Sequence, residues 1–163
     1  MYTFTPINDA ETGTAALAIY QANADYYQTI GEPAPTIQTV LEDAKELPPA
    51  MPASAKHFWL VKQAGKPVAV LDLIEGYPEQ ATLYIGLLEV REHGQGHGRG
   101  IITQLEQQLG THGYQRIELA VVHANKDAGK FWTALGFALL RQVDGELSAG
   151  NEQLLDIYSK KLG

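Results

Sequence analysis

The sequence predicts a mixed α/β fold, a central and mostly antiparallel twisted sheet with helices on its flanks. Three observations point there. Short β-branched and aromatic runs recur from the N-terminus to the last residues, helical 3.6-residue stripes are interleaved among them, and the middle of the chain reads strand, glycine-rich turn, helix, strand. With 163 residues, 45% of them hydrophobic, the chain has the size and apolar content of one ordinary domain spanning 1–163.

Taken in order, YTFTP alternates as a strand, and NDAETGTAALAIYQANADYY opens with capping residues before one helical run. A further helix is expected in PTIQTVLEDAKEL, where Thr36 can cap and Ile37, Val40, Leu41 and Ala44 recur at helical spacing; PPAMP stops it. HFWLVKQ and VAVLDLI, joined by AGKP, read as an antiparallel hairpin. EGYPEQ then turns the chain into the strand ATLYIGLLEV, which runs straight into EHGQGHGRG. Beyond it, Ile101, Ile102, Leu105 and Leu109 form one apolar helical stripe, and RIELAVV is the next strand. In NKDAGKFWTALGF, Asn125 caps a helix whose buried face is Ala128, Phe131, Trp132 and Leu135, and Gly136 ends it. FALLRQV and QLLDIYSKK, joined by the hairpin loop DGELSAGNE, close the chain.

Composition narrows the function classes. Nineteen acidic against twelve basic residues give a net charge of −7, which disfavours a nucleic-acid partner because that backbone demands clustered cations. The acidic balance better suits a cationic small molecule or peptide. There is no cysteine, hence no disulfide framework, thiolate metal site or cysteine nucleophile. MYTFTPINDA lacks the basic and apolar regions of a signal peptide, and no stretch approaches the roughly 18 apolar residues of a membrane span. A cytoplasmic protein without a membrane partner is expected; a homodimer is left open.

Gly94, Gly96, Gly98 and Gly100 alternate between a strand and a helix. Ordering so many glycines costs backbone entropy, so the fold keeps them where side chains would intrude, and a ligand is the expected intruder. The start of a helix has unpartnered N–H groups and the positive end of the macrodipole, so a phosphate can dock there. Two familiar phosphate loops do not fit. In G-x-G-x-x-G, Arg99 and Ile101 stand where the closing glycine belongs, and no Gly-Lys-Ser/Thr follows the loop. His93 and His97 are four apart, a zinc-like spacing, but the glycines between them break the helix and no third ligand is near, so no metal is expected.

HGQGHGRGIITQLEQQL resembles the acetyl-CoA segment, [Q/R]-x-x-G-x-[G/A], of the GNAT superfamily of N-acetyltransferases, and LAVVHANKDAGKFWTALGF is similar to its Asn-x-x-Ala-x-x-aromatic-x-x-x-x-Gly-Phe region. Two motifs in the right order, about 30 residues apart, make the resemblance specific. Two registers remain open: His93, Gly96 and Gly98, favoured by helix phase, or Gln95, Gly98 and Gly100, favoured by the leading Gln. Either way the resemblance implies that Gln95, Gly96, His97, Gly98, Arg99 and Gly100 surround a pyrophosphate. It implies further that the strand before the loop is splayed from its neighbour by a bulge, so that Leu88 and Val90 offer backbone groups to pantetheine, and that Asn125, Phe131 and Trp132 lie along that arm. Acetyl-CoA is then the co-substrate, no metal takes part, and the first two helices, with Tyr26 and Tyr27, border a site for a small-molecule or peptide amine.

The implied reaction is direct acetyl transfer to a primary amine in a ternary complex, the absence of cysteine disfavouring an acyl-enzyme. An amine with an unperturbed pKa of about 10.4 needs help to lose its proton. Backbone N–H groups, that of Val90 among them, are candidates to stabilise the oxyanion. Tyr84 stands where some members of the family have a catalytic Glu, Asp72 and Glu75 lie on the preceding strand, and water relayed from one of them is equally open; Tyr84 and Glu75 are taken as the catalytic candidates. Where many members have a Tyr seven residues after the Asn, this chain has Trp132, whose indole N–H donates a hydrogen bond but no proton near neutral pH. The incomplete set leaves a second reading, a CoA-binding sensor without catalysis.

Overall fold

A computed structural model describes residues 1–163. Its strands are β1 (Tyr2–Pro6), β2 (Lys56–Gln63), β3 (Lys66–Glu75), β4 (Thr82–Val90), β5 (Arg116–Val122), β6 (Ala138–Glu146) and β7 (Glu152–Lys161); its helices are α1 (Ala10–Ala22), α2 (Ala24–Thr29), α3 (Ile37–Lys45), α4 (His97–Leu109) and α5 (Lys126–Ala134). The seven strands form one sheet in the order β1-β2-β3-β4-β5-β7-β6, antiparallel except for the parallel pair β4 and β5. The mixed α/β class and the mostly antiparallel sheet expected from the sequence are what the structure has.

Local chemistry explains the elements. The β2–β3 turn places Ala64 at φ 51° and Gly65 at φ 78°, positive at both central residues as a tight hairpin requires. Asp9 caps α1 by accepting from the Thr12 N–H at 2.8 Å. The single helix expected over the first long run is two, because Asn23 breaks it: its side-chain amide donates to the Ile19 carbonyl and to the Val90 carbonyl, both at 2.9 Å, while its oxygen meets His93 Nε2 at 2.8 Å. On α3 only Val40 is fully buried; Ile37 and Leu41, expected on the same inward face, are 44% and 47% exposed. β7 inserts between β5 and β6, leaving β6 as an exposed edge.

Both faces of the sheet are covered. On one, Leu71, Leu73, Leu83, Ile117 and Leu119 pack against Ile101, Ile102 and Leu105 of α4 and Trp132 and Leu135 from the α5 region. On the other, Phe58, Leu60 and Val70 pack against Ala16, Ile19, Tyr20 and Tyr27 of α1 and α2 and Val40 of α3. Burial of each large aliphatic side chain contributes roughly 1.5–3 kcal/mol, so the stripe of α4 alone fixes that helix on the sheet. No helix is long and apolar enough to cross a membrane.

Candidate functional site

β4 and β5 pair only from Thr82 with Arg116 to Ile85 with Leu119, and beyond that point they part. The cause lies in β4. Asp72 of β3 is opposite Leu87 and Leu73 opposite Ile85, so Gly86 is an extra residue, a bulge that bends the strand away. Glycine is needed there: a Cβ on Gly86 would sit 2.6 Å from Asp72 Oδ2. Past the bulge, the Arg91 N–H donates to the Val68 carbonyl at 2.8 Å. By the alternation of an antiparallel ladder, the backbone groups of Leu88 and Val90 therefore point away from β3 into the gap. Asn23 takes the Val90 carbonyl; the Val90 N–H and both groups of Leu88 have no strand partner on that side.

The glycine-rich loop stands at the mouth of this gap. Gly94 and Gly96 have φ of 81° and 78°, and a Cβ on either would meet nothing within 4 Å. Gly96 is the N-cap of α4, and the first intrahelical bond runs from the Gly100 N–H to the Gly96 carbonyl, which leaves the N–H groups of His97, Gly98 and Arg99 without helix partners. Gly98 and Gly100 serve a different purpose from the one expected. A Cβ on Gly98 would lie 2.8 Å from Phe131 Cζ, and one on Gly100 would lie 2.8 Å from the Tyr2 hydroxyl oxygen. The intruder at these two positions is the protein itself, which presses α4 onto α5 and β1. The loop from Arg91 to Gly96, Gln95 included, is exposed, as is Arg99.

Asn125 caps α5 by accepting from the Ala128 N–H at 3.3 Å. Trp132 is buried with its ring edge-on to both Phe131 and Phe137. Phe131, half-buried under Gly98, thus joins the two sequence motifs physically.

Across the sheet from α4 and α5, at the base of the gap, is a pocket of about 250 Å³ lined by Tyr77, Pro78, Tyr84, Glu118, Ala120, Arg141, Val143, Leu155 and Ile157. Tyr84 and Glu118 are register partners on β4 and β5. Burial pushes the Tyr84 phenol up to about 12, so it stays protonated and acts as a hydrogen-bond donor rather than an acid for a thiolate. Glu118 is 1% exposed, and its Oε2 has no hydrogen-bond partner. Two guanidinium groups stand beyond hydrogen-bond reach, Arg116 Nη2 at 3.6 Å and Arg141 Nη1 at 3.7 Å. A larger, shallow hollow of about 400 Å³ at Gln80, Ala81, His112, Gly113 and Tyr114 lies at the opposite ends of these strands, away from the loop.

The structure does not bring Glu75 into the gap. It sits near the far end of β4, opposite Leu83, with one oxygen 2.6 Å from His57 Nε2 and the other accepting from the Tyr114 hydroxyl at 2.5 Å; these bonds, His57 first, hold its pKa down. Asp72 lies under the bulge, 2.9 Å from Lys56 Nζ, and burial raises it to about 6. On the α1–α3 face, Glu89 accepts from the Tyr27 hydroxyl at 2.8 Å, and burial raises the carboxyl to about 8, so Tyr27 is a core residue tied to β4. No group of three His, Asp or Glu side chains is gathered to hold a metal.

Sequence reasoning missed Glu118 and Arg141. The signal for Glu118 was present: one carboxylate in the apolar run RIELAVV. Arg141 carried none, because its approach depends on β7 lying between β5 and β6.

A sequence profile described as "Acetyltransferase (GNAT) family" matches residues 16–137. A search of curated proteins finds no match. Among solved structures, an acetyltransferase from Thermus thermophilus is 26% identical with a TM-score of 0.76, covering 99% of this chain and 97% of its own. The ribosomal-protein-S18-alanine N-acetyltransferase of Escherichia coli is 17% identical with a TM-score of 0.69, covering 100% and 95%. The spermidine N-acetyltransferase of Vibrio cholerae, solved with CoA and spermine, is 17% identical with a TM-score of 0.70, covering 99% and 95%.

Proposed function

Because the chain belongs to the GNAT acetyltransferase family, we propose that it moves an acetyl group from acetyl-CoA directly to a primary amine. The observation that supports this most is the unpaired edge of β4: Leu88 and Val90 direct backbone groups into a gap that ends at the free N–H groups of α4. Unpaired strand groups are costly unless a ligand meets them. The residues fit coenzyme A. His97, Gly98 and Arg99 offer N–H groups to its pyrophosphate, the space beside Gly94 and Gly96 is clear, and Leu88 and Val90 suit an extended amide-bearing arm. The N-cap at Gly96 favours the register His93, Gly96 and Gly98, with His93 held by Asn23 rather than facing the phosphates.

Acetyl-CoA supplies a thioester. The amine lone pair forms a C–N bond to its carbonyl carbon, the C–S bond breaks, one proton leaves the nitrogen, and one is gained by the thiolate. Glu118, on the far side of the gap's base, receives the nitrogen's proton in this reading, directly or through water, a role the sequence had offered to Glu75. Tyr84 donates a hydrogen bond beside it. Tyr84 and Trp132 hold their protons more tightly than the departing sulfur, which resembles an ordinary thiol of pKa near ~8.5; in this reading it leaves as the thiolate and, once released, takes from the buffered solvent a proton equivalent to the one the amine gave up through Glu118.

Calorimetry with CoA and thiol release with a panel of amines test this. Micromolar CoA binding with amine-dependent turnover is the expected result. CoA binding without turnover of any amine selects the sensor reading, and equal thermal stabilisation by CoA, ATP and NAD removes the CoA assignment.

A further inference from the structure

The pocket behind the gap holds two opposite charges that stand 3.7 Å apart without a hydrogen bond between them. Glu118 has a side chain only 2% exposed, and Oε2 lacks any hydrogen bond. A buried carboxylate oxygen without a donor is expensive, of the order of ~1–3 kcal/mol or more. The other oxygen, Oε1, also makes no hydrogen bond, is not fully covered and faces Arg141, and it is the one a donor entering the pocket meets. The cation nearest to Oε2 is Arg116, whose Nη2 lies 3.6 Å away but is shared with Glu79 at 3.4 Å, while its Nε donates to Thr82 Oγ1 at 3.3 Å.

Arg141 is differently placed. It stands on the exposed edge strand β6, half in solvent, and makes no hydrogen bond within the protein; its one charged neighbour is Glu118 at 3.7 Å. Its planar fork of donors is unclaimed, and such a fork matches a carboxylate bidentately. Beside the two charges, Tyr77 and Tyr84, set edge-on at 5.2 Å, and Leu155 form apolar walls of the same pocket.

We propose that this pocket takes a free amino acid with an apolar side chain, its amine on Glu118 and its carboxylate on Arg141. The proposal rests on the acetyl-transfer reading above and names its acceptor class. The volume of about 250 Å³ falls below the usual ~300–1,000 Å³ of drug-sized sites, in keeping with one residue rather than a folded segment. A polyamine is disfavoured, because its second ammonium would face Arg141 with nothing to neutralise it. An amine lacking the carboxylate would leave the guanidinium fork unfilled.

The test pairs L-leucine, L-methionine and L-phenylalanine with their decarboxylated amines, adds spermidine, and reads kcat/KM by thiol release in the wild type and in Arg141→Gln and Arg141→Lys. The wild type should prefer at least one amino acid over its amine by ~10²-fold or more, since a site built to hold a polar group rejects the analogue without it. Arg141→Gln should reduce that ratio below ~10 by raising the amino acid KM, with Arg141→Lys restoring part of it and the Kd for CoA unchanged in both. Equal use of the decarboxylated amines, preference for spermidine, a ratio unaffected by Arg141→Gln, or no turnover of any amino acid by a protein that binds CoA overturns the proposal and leaves the donor site standing. Absence of CoA binding overturns the underlying reading as well.

Discussion

The loop at 94–100 and the pocket around Glu118 lie on opposite sides of one pair of parting strands, yet they are made of different material. The first is backbone: two glycines with positive φ, three free helix N–H groups and the unpaired groups of Leu88 and Val90. The second is side chains from β4, β5, β6 and β7 and from the turn before β4. A backbone site is specified by a contiguous stretch and tolerates drift elsewhere, whereas a side-chain site depends on strand order and can be respecified by single substitutions. The donor end is therefore expected to be generic and the acceptor end particular to this chain.

Substitutions that strike one end and spare the other sharpen this contrast. Glu118→Gln keeps shape but removes the proton acceptor, so kcat/KM should fall ~10²–10⁴-fold while CoA affinity holds. Gly98→Glu should do the reverse, weakening CoA by ~100-fold, equivalent to about 2.8 kcal/mol. Because Phe131 already occupies the space at Gly98, Gly98→Ala should cost ~1–3 kcal/mol in urea unfolding with a far smaller loss of affinity, separating packing from charge. Equal affinity losses in both variants would show that the loop acts only through its packing.

Tyr84→Phe should lower kcat about tenfold by removing one donor beside the reacting amine. Trp132→Phe, filling the same interior between Phe131 and Phe137, should keep turnover within a few-fold and lower stability by ~1 kcal/mol. A dead Trp132→Phe with intact CoA binding, beside an unaffected Tyr84→Phe, would move the chemistry to α5.

Glu89 tests the scaffold rather than either end. Its folded pKa of about 8 lies above the ordinary carboxyl value, so the folded state holds the proton more tightly. Stability from this group is fully present below about pH 4 and is lost progressively as pH rises toward about 8. Glu89→Gln, which can still accept from Tyr27, should match the wild type near pH ~5 and exceed its Tm near pH ~8.5. Parallel pH profiles for the two proteins would show that Glu89 is not held protonated.

Legibility in the sequence followed the same division. Periodicity located every strand and most helix limits, and ATLYIGLLEV even carried the bulge as a glycine inside a strand. The break at Asn23 was hidden because its partners, Val90 and His93, are about 70 residues away. The glycines at 98 and 100 were visible, but their cause was not: Phe131 and Tyr2 approach them only once α5 and β1 are packed. Glu75 and Glu118 looked alike as lone carboxylates; only the sheet shows one satisfied by His57 and Tyr114 and the other buried beside Tyr84 with an oxygen that lacks a hydrogen bond.

Residue-resolved amide hydrogen exchange, with and without saturating CoA, tests the central claim that the open edge of β4 is the donor's berth. The Leu88 and Val90 amides, and those of His97, Gly98 and Arg99, should gain protection on CoA binding, while the exposed strand β6 exchanges as before. Unchanged exchange at Leu88 and Val90 in a protein that binds CoA would contradict the account and place the cofactor elsewhere.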